Sequence, residues 1–158
     1  MQRIPMTPQG YRILQDELKH AREVLRPQVV RAIEEARAHG DISENAEFDA
    51  AKNQQAHLEG RMRDLEARIA MAEVIDVTRL PRTDRVVFGT TVTLLDLATE
   101  EECTYRIVSS EEMDARAGLI SPTSPIGQAL LGHATGDEVK VRTPRGERVF
   151  EILSVEYV

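Results

Sequence analysis

Residues Gly40-Asp41-Ile42-Ser43-Glu44-Asn45-Ala46-Glu47-Phe48, GDISENAEF, divide two long runs of helix-forming residues, and the shortness of this divide decides the fold. Upstream, Thr7-Pro8 reads as a helix N-cap followed by proline at the first helical position, where a missing N–H costs nothing. Apolar or small residues then recur at Tyr11, Leu14, Leu18, Ala21, Leu25, Val29 and Ile33, a spacing that keeps one stripe on one helix face. Pro27 removes a backbone donor and crowds the carbonyl four residues back. A bend near residues 24–26 is therefore expected, and not an end, because the stripe resumes in phase. Downstream a second stripe follows at Ala46, Ala50, Leu58, Met62, Leu65, Ile69 and Ala72, ending near Ile75. Each run is about 30 residues, or about 45 Å of helix at the standard rise. Two such helices joined by so short a connection must lie antiparallel to bury their stripes. The sequence thus predicts an antiparallel coiled-coil finger over residues 1–76, with the acidic turn at its far end.

After Pro81 the period changes. The stretches 85–88, 91–95, 104–108, 138–141 and 148–153 alternate or run short, with β-branched enrichment, between Gly, Pro and acidic turns. These predict strands of a compact antiparallel sheet over 84–158, joined to the finger by a linker at 77–83. Within it, Ser124-Pro125 and Gly132 mark the start and stop of a short helix. The fold class expected is α+β.

Composition narrows the function classes. The chain has 158 residues, 41% apolar and 30% charged, as a globular protein does, and no apolar run is long enough to span a membrane. Its N-terminus, MQRIPMTPQG, lacks the apolar core of a signal peptide, and its single cysteine, Cys103, suits a reducing compartment and rules out a thiolate metal cluster. A cytoplasmic location is expected. The formal net charge is −7, the opposite sign to most free duplex binders, so no sequence-specific DNA binding is expected.

Two readings of the acidic turn compete. Asp41 as N-cap with Glu44 three residues later is a capping-box pattern, and a helix N-terminus favours carboxylates in any case. Alternatively, Asp41 and Glu44 are two oxygen ligands for a hard divalent cation. Mg2+ is typically held by only one or two carboxylates, with waters and substrate phosphates completing its shell. Two carboxylates on a bare tip make a weak site, so such a finger needs a partner that already holds a first metal and a phosphodiester.

The GDISENAEF turn stands in order with Arg26-Pro27, Val74-Ile75-Asp76, Val87-Phe88-Gly89 and the long segment Gly118-Leu119-Ile120-Ser121-Pro122-Thr123-Ser124-Pro125-Ile126-Gly127-Gln128-Ala129-Leu130-Leu131-Gly132. Together these resemble the bacterial transcript-cleavage and elongation factors of the Gre type over essentially the full chain. The resemblance implies an FKBP-like sheet domain that docks on bacterial RNA polymerase, and a coiled coil that enters the polymerase's secondary channel. It implies that Asp41 and Glu44 hold a second Mg2+ shared with the polymerase and assist its own cleavage of the 3' end of backtracked nascent RNA, with no independent nuclease activity. Ser43 and Asn45 are expected to shape the tip. Arg37 and Lys52, flanking it, are candidates for contact with the extruded RNA, against the plainer reading of a solvated helix face.

The chain departs from the family pattern in two places. Phe48 stands where similar proteins often have Tyr, and His133 where Lys is usual. Prolyl isomerisation, which an FKBP-like sheet invites, is not expected, because the aromatics available for a proline pocket are needed as core. The acidic stretches Glu100-Glu101-Glu102 and Glu111-Glu112-Met113-Asp114 read as solvated turns. Two other functions stay open at this stage: a secondary-channel inhibitor of polymerase with the same fold but no cleavage, and a plain coiled-coil interaction module.

Overall fold

The computed structural model describes residues 2–38 and 42–158. They fall into two compact units: Met1–Ile4 with Arg12–Ala72, and Pro5–Tyr11 with Glu73–Val158.

The first unit is a helical hairpin. Helix α1 (Pro8–His20) passes through a π-helical turn (Ala21–Leu25) into α2 (Arg26–Ala38), and α3 (Ile42–Met71) returns. The bend expected beside Pro27 takes the form of that π turn. The Arg26 N–H donates to Ala21 O, five residues back, so the ladder shifts where proline withholds a donor and the helix continues. The two arms are antiparallel: α2 packs on α3, and Arg22 pairs with Glu66 while Arg26, nearer the turn, pairs with Glu59.

The seam holds Leu14, Leu18, Ala21 and Ala36 on one arm and Ala51, Met62 and Leu65 on the other, all buried. Two details differ from the periodic reading. Leu25, drawn into the π turn, is 36% exposed. Near the turn the second stripe runs through Ala51, with Ala46 and Ala50 exposed. Helix α3 also stops at Met71, short of Ile75, because residues 72–74 become strand.

In the second unit a five-stranded sheet has the order β5-β4-β3-β7-β6. Its strands are β3 (Thr91–Asp96), β4 (Glu102–Ile107), β5 (Leu119–Ile120), β6 (Glu138–Thr143) and β7 (Gly146–Glu156), and a separate two-stranded ribbon pairs β1 (Ile4–Met6) with β2 (Ala72–Val74). The larger sheet is antiparallel except that β5 joins β4 in parallel. Val92, Leu94 and Asp96 alternate inward from β3, facing Phe150 and Ile152 of β7. Opposite Thr93 and Leu94 the register slips by one residue at Leu153, a bulge of the kind that bends a strand.

The short helix α4 (Pro125–Leu130) covers β6, and the predicted cap is present: Ser124 Oγ accepts from the Gly127 N–H at 3.1 Å. Gly127 has no room for a side chain, since a Cβ would run into Ser121 O. Residues 85–88, expected as strand, form only a bridge between Arg85 and Ala134. Val86 and Phe88 nevertheless enter the core.

The start of α1 is built into this same unit. Thr7 Oγ1 caps the Gly10 N–H at 3.0 Å and donates to Glu112 Oε1, which also accepts from Ser109 Oγ. Gly10 is required there, because a Cβ would overlap the Ser109 hydroxyl.

Candidate functional site

The far end of the hairpin is where sequence and architecture converge. Helix α2 ends at Ala38 and α3 begins at Ile42, so Asp41 immediately precedes the second helix and Ser43, Glu44 and Asn45 belong to its first turn. Asp41 and the side chains of Ser43, Glu44 and Asn45 lie outside the described residues.

Packing beneath the turn differs from packing lower on the stalk. Leu14, Leu18, Met62 and Leu65, with Ala21, fill the seam away from the turn, whereas Ala36 and Ala51 fill it near the turn. Ala32, Ala36, Ala50 and Ala51 line a groove of about 290 Å³ with Glu35, Glu47 and Gln54. Interaxial distance follows side-chain size at the contact, and alanine is the side chain that permits the closest approach of two helices. Charge there is mostly negative. Between residues 31 and 52 the cations Arg31, Arg37 and Lys52 are outnumbered by Glu34, Glu35, Asp41, Glu44, Glu47 and Asp49.

The two flanking cations have different surroundings. The Arg37 guanidinium sits over the Phe48 ring, 5.6 Å from its centroid, across the hairpin from the last turn of α2 to the second turn of α3. Lys52 is exposed one turn further along α3. The Arg37–Phe48 contact escaped the sequence reading. Its only signal was an aromatic residue just past the turn with an arginine just before it.

Lower on the stalk, ion pairs bridge the arms on the surface. Arg26 grips Glu59 through Nε and Nη2, both at 2.9 Å, and Arg61 grips Glu17 at 3.1 and 2.9 Å. The Arg26 hydrogen bonds hold the Glu59 carboxyl below its usual range and raise Arg26 in turn.

The sheet unit offers little catalytic chemistry. Among the described residues no group of three or more His, Cys, Asp or Glu is placed to hold a metal ion. Burial pushes the Cys103 thiol up, away from the thiolate that reactive cysteines need. Phe88 and Phe150 belong to the core and Tyr105 packs against it, as expected of a sheet that spends its aromatics on packing. His133 is half-exposed, with Nδ1 3.4 Å from Asp137 Oδ2. No helix among the described residues is long and apolar enough to cross a membrane.

Comparison with known proteins covers both units. Residues 4–74 match the family model described as "Transcription elongation factor, N-terminal", and residues 81–157 match "Transcription elongation factor, GreA/GreB, C-term". Transcription elongation factor GreA of Syntrophotalea carbinolica is 52% identical over 160 residues, covering 99% of each chain. GreA of Pseudomonas aeruginosa is 49% identical over 158 residues, covering 100% of each. Among solved structures, GreA factor homolog 1 of Thermus thermophilus is 28% identical over 98% of this chain and 99% of its own, with a TM-score of 0.44.

Proposed function

Because the chain belongs to the GreA/GreB family of transcription elongation factors, we propose that it is an accessory factor of bacterial RNA polymerase that stimulates the enzyme's own cleavage of backtracked RNA. The hairpin enters the secondary channel, the sheet unit docks outside it, and the extruded 3' end of the nascent RNA is trimmed so that elongation resumes. The protein works in the cytoplasm, alongside the polymerase, and is not itself a nuclease.

The observation that carries this reading is a polar stalk of two antiparallel helices, one of them the 30-residue α3, joined by a short acidic turn. At about 1.5 Å per residue, α3 reaches about 45 Å. Its seam is built of alanine near the turn and its flanks are covered by ion pairs, so the stalk can stay hydrated inside a narrow channel while delivering Asp41 and Glu44 to a distant centre. Ser43 and Asn45 shape the turn, and Lys52 guides the RNA phosphates.

Asp41 and Glu44 would hold Mg2+. The donor chemistry suits it: two hard carboxylate oxygens beside a helix N-terminus, with no rival cluster of ligands among the described residues. Held there, the ion would supply an activated water and positive charge for a phosphoryl displacement. Two carboxylates do not complete a site, so the ion is retained only where the polymerase and the RNA supply the remaining ligands.

The test uses purified bacterial RNA polymerase stalled in a backtracked complex with Mg2+. Adding the protein should shorten the RNA to a product that can be re-extended. Asp41→Asn and Glu44→Gln should lower that cleavage about a hundredfold, the scale of losing one preorganised group that stabilises the transition state. Asn is a comparable N-cap, so Asp41→Asn should change folding stability by less than about 1 kcal/mol. Binding with slowed elongation and no cleavage would instead make the protein a channel-occupying inhibitor. Absence of polymerase binding would reduce it to an interaction module.

A further inference from the structure

Phe48 is the one aromatic residue between Arg12 and Ala72, while the other two phenylalanines, Phe88 and Phe150, lie in the core of the sheet unit. An aromatic ring on a stalk whose seam is otherwise aliphatic needs a local reason. Phe48 is only half-buried, and the seam beside it is formed by Ala36 and Ala51, too small to anchor the two helix ends firmly. Glu35 and Glu47, both exposed, line one groove from opposite arms, so their charges add no attraction across the hairpin. Against this, the Arg37 guanidinium lies over the Phe48 ring at 5.6 Å, the polar cross-hairpin contact nearest the turn among the described residues. An arginine over a ring face is attracted by the ring's quadrupole, and its planar group stacks there as lysine cannot.

We propose that Arg37 and Phe48 are a positioning pair, which fixes the ends of α2 and α3 against each other and so sets the aim of the acidic turn. Arg37 acts on the turn through the ring, over which its guanidinium lies. The proposal rests on the cleavage function proposed above. It also accounts for phenylalanine at position 48: the ring face is what matters there, and a phenolic hydroxyl is dispensable.

A double-mutant cycle in the backtracked-complex assay tests it, with Arg37→Gln, Phe48→Leu, both together, and Phe48→Tyr as the conservative variant. Arg37→Gln and Phe48→Leu should each lower the cleavage rate at saturating protein by about two- to fivefold, the rate equivalent of an exposed cation–π pair. The half-saturating protein concentration should stay unchanged, the double variant should fall no further than either single one, and Phe48→Tyr should match the parent. In the free protein, NMR should show the Arg37 side-chain protons shifted upfield by the ring, and released in Phe48→Leu.

Arg37→Gln costing the same whether position 48 is Phe or Leu would overturn the pair and assign Arg37 to the RNA, as would a Phe48→Leu protein that cleaves normally. An unshifted Arg37 in the parent protein would overturn it without reference to cleavage. A parent protein that stimulates no cleavage, or an Asp41→Asn variant that cleaves like the parent, would instead bring down the functional reading on which the pair depends.

Discussion

The hairpin and the sheet unit carry their charges and their apolar groups in opposite ways. In the sheet unit ten buried side chains form one cluster, and its best-connected acid, Asp96, is sunk 2% exposed among them. In the hairpin the apolar seam is one strip, and the ion pairs that cross it stand in solvent, with Arg22, Arg26 and Arg61 each 44–52% exposed. A sheet covered by a helix encloses an interior to fill, whereas two helices side by side have only the strip between them. The contrast makes the two units respond differently to the same perturbation.

The largest difference should come from the core. Phe150, 1% exposed at the middle of β7, touches the interior face that α4 closes. Phe150→Ala removes a ring the surroundings cannot refill and should destabilise the sheet unit by about 3–5 kcal/mol. In a urea titration tyrosine fluorescence, whose sources Tyr11, Tyr105 and Tyr157 all belong to that unit, should shift to a lower midpoint while the far-UV helical signal keeps its own. A joint shift of both signals would erase the distinction between the units.

That independence bears on what could be read without coordinates. The two helical stripes, the Thr7 and Ser124 caps and the alternating strands β3, β6 and β7 were legible because each is governed by its own period or by a residue within three positions. The ribbon of β1 with β2 and the two-residue β5 were not, since so short a strand is defined by its partner and has no period of its own. Residues 85–88 have strand composition, yet the chain needed them as buried filler beside α4 and left them unpaired but for one bridge. The slip from Ala50 to Ala51 shows the limit of a fixed spacing across a long helix. For the candidate site, the position of the acidic turn was visible from composition. The pairing of Arg37 with Phe48 was not, because cross-hairpin register is a property of two helices together.

A smaller and pH-dependent difference should come from Asp96. Its carboxylate accepts from the Arg148 guanidinium and from the N–H groups of Ala98 and Thr99, at 2.9 and 3.3 Å, and these bonds, the one from Arg148 foremost, hold it below the usual carboxylate range. Because the folded state prefers the ionised form more than the unfolded chain does, this contribution is complete above the ordinary carboxylate value of about 4 and is lost as pH falls through the lower folded value. The sheet unit should therefore weaken on the acid side, and Asp96→Asn should flatten that slope. Some slope should survive, since Asp76 in the same unit is also held low by its Thr78 hydrogen bonds. An acid slope unchanged by Asp96→Asn would mean that Asp76 and the remaining carboxylates carry it.

The smallest effect separates the units most cleanly. The pair of Arg26 with Glu59 has good geometry, two parallel bonds of 2.9 Å, and a planar guanidinium suited to a carboxylate. Both side chains are nevertheless solvated, and holding two long side chains in one geometry offsets much of what the charges gain. Glu59→Gln should lower the hairpin's thermal midpoint only slightly at low ionic strength. At about 1 M salt the screening length is about 3 Å, the separation of the charges themselves, so variant and parent should then melt together. Asp96→Asn in the sheet unit should keep more of its effect under the same salt, because the Asp96 carboxylate is buried, although Arg148 is itself half-exposed, and two of the carboxylate's bonds come from uncharged backbone N–H groups. If salt abolished the Asp96 effect and spared that of Glu59, exposure would not be what distinguishes these two pairs, and the division between a solvated stalk and a buried core would have to be redrawn around hydrogen-bond geometry.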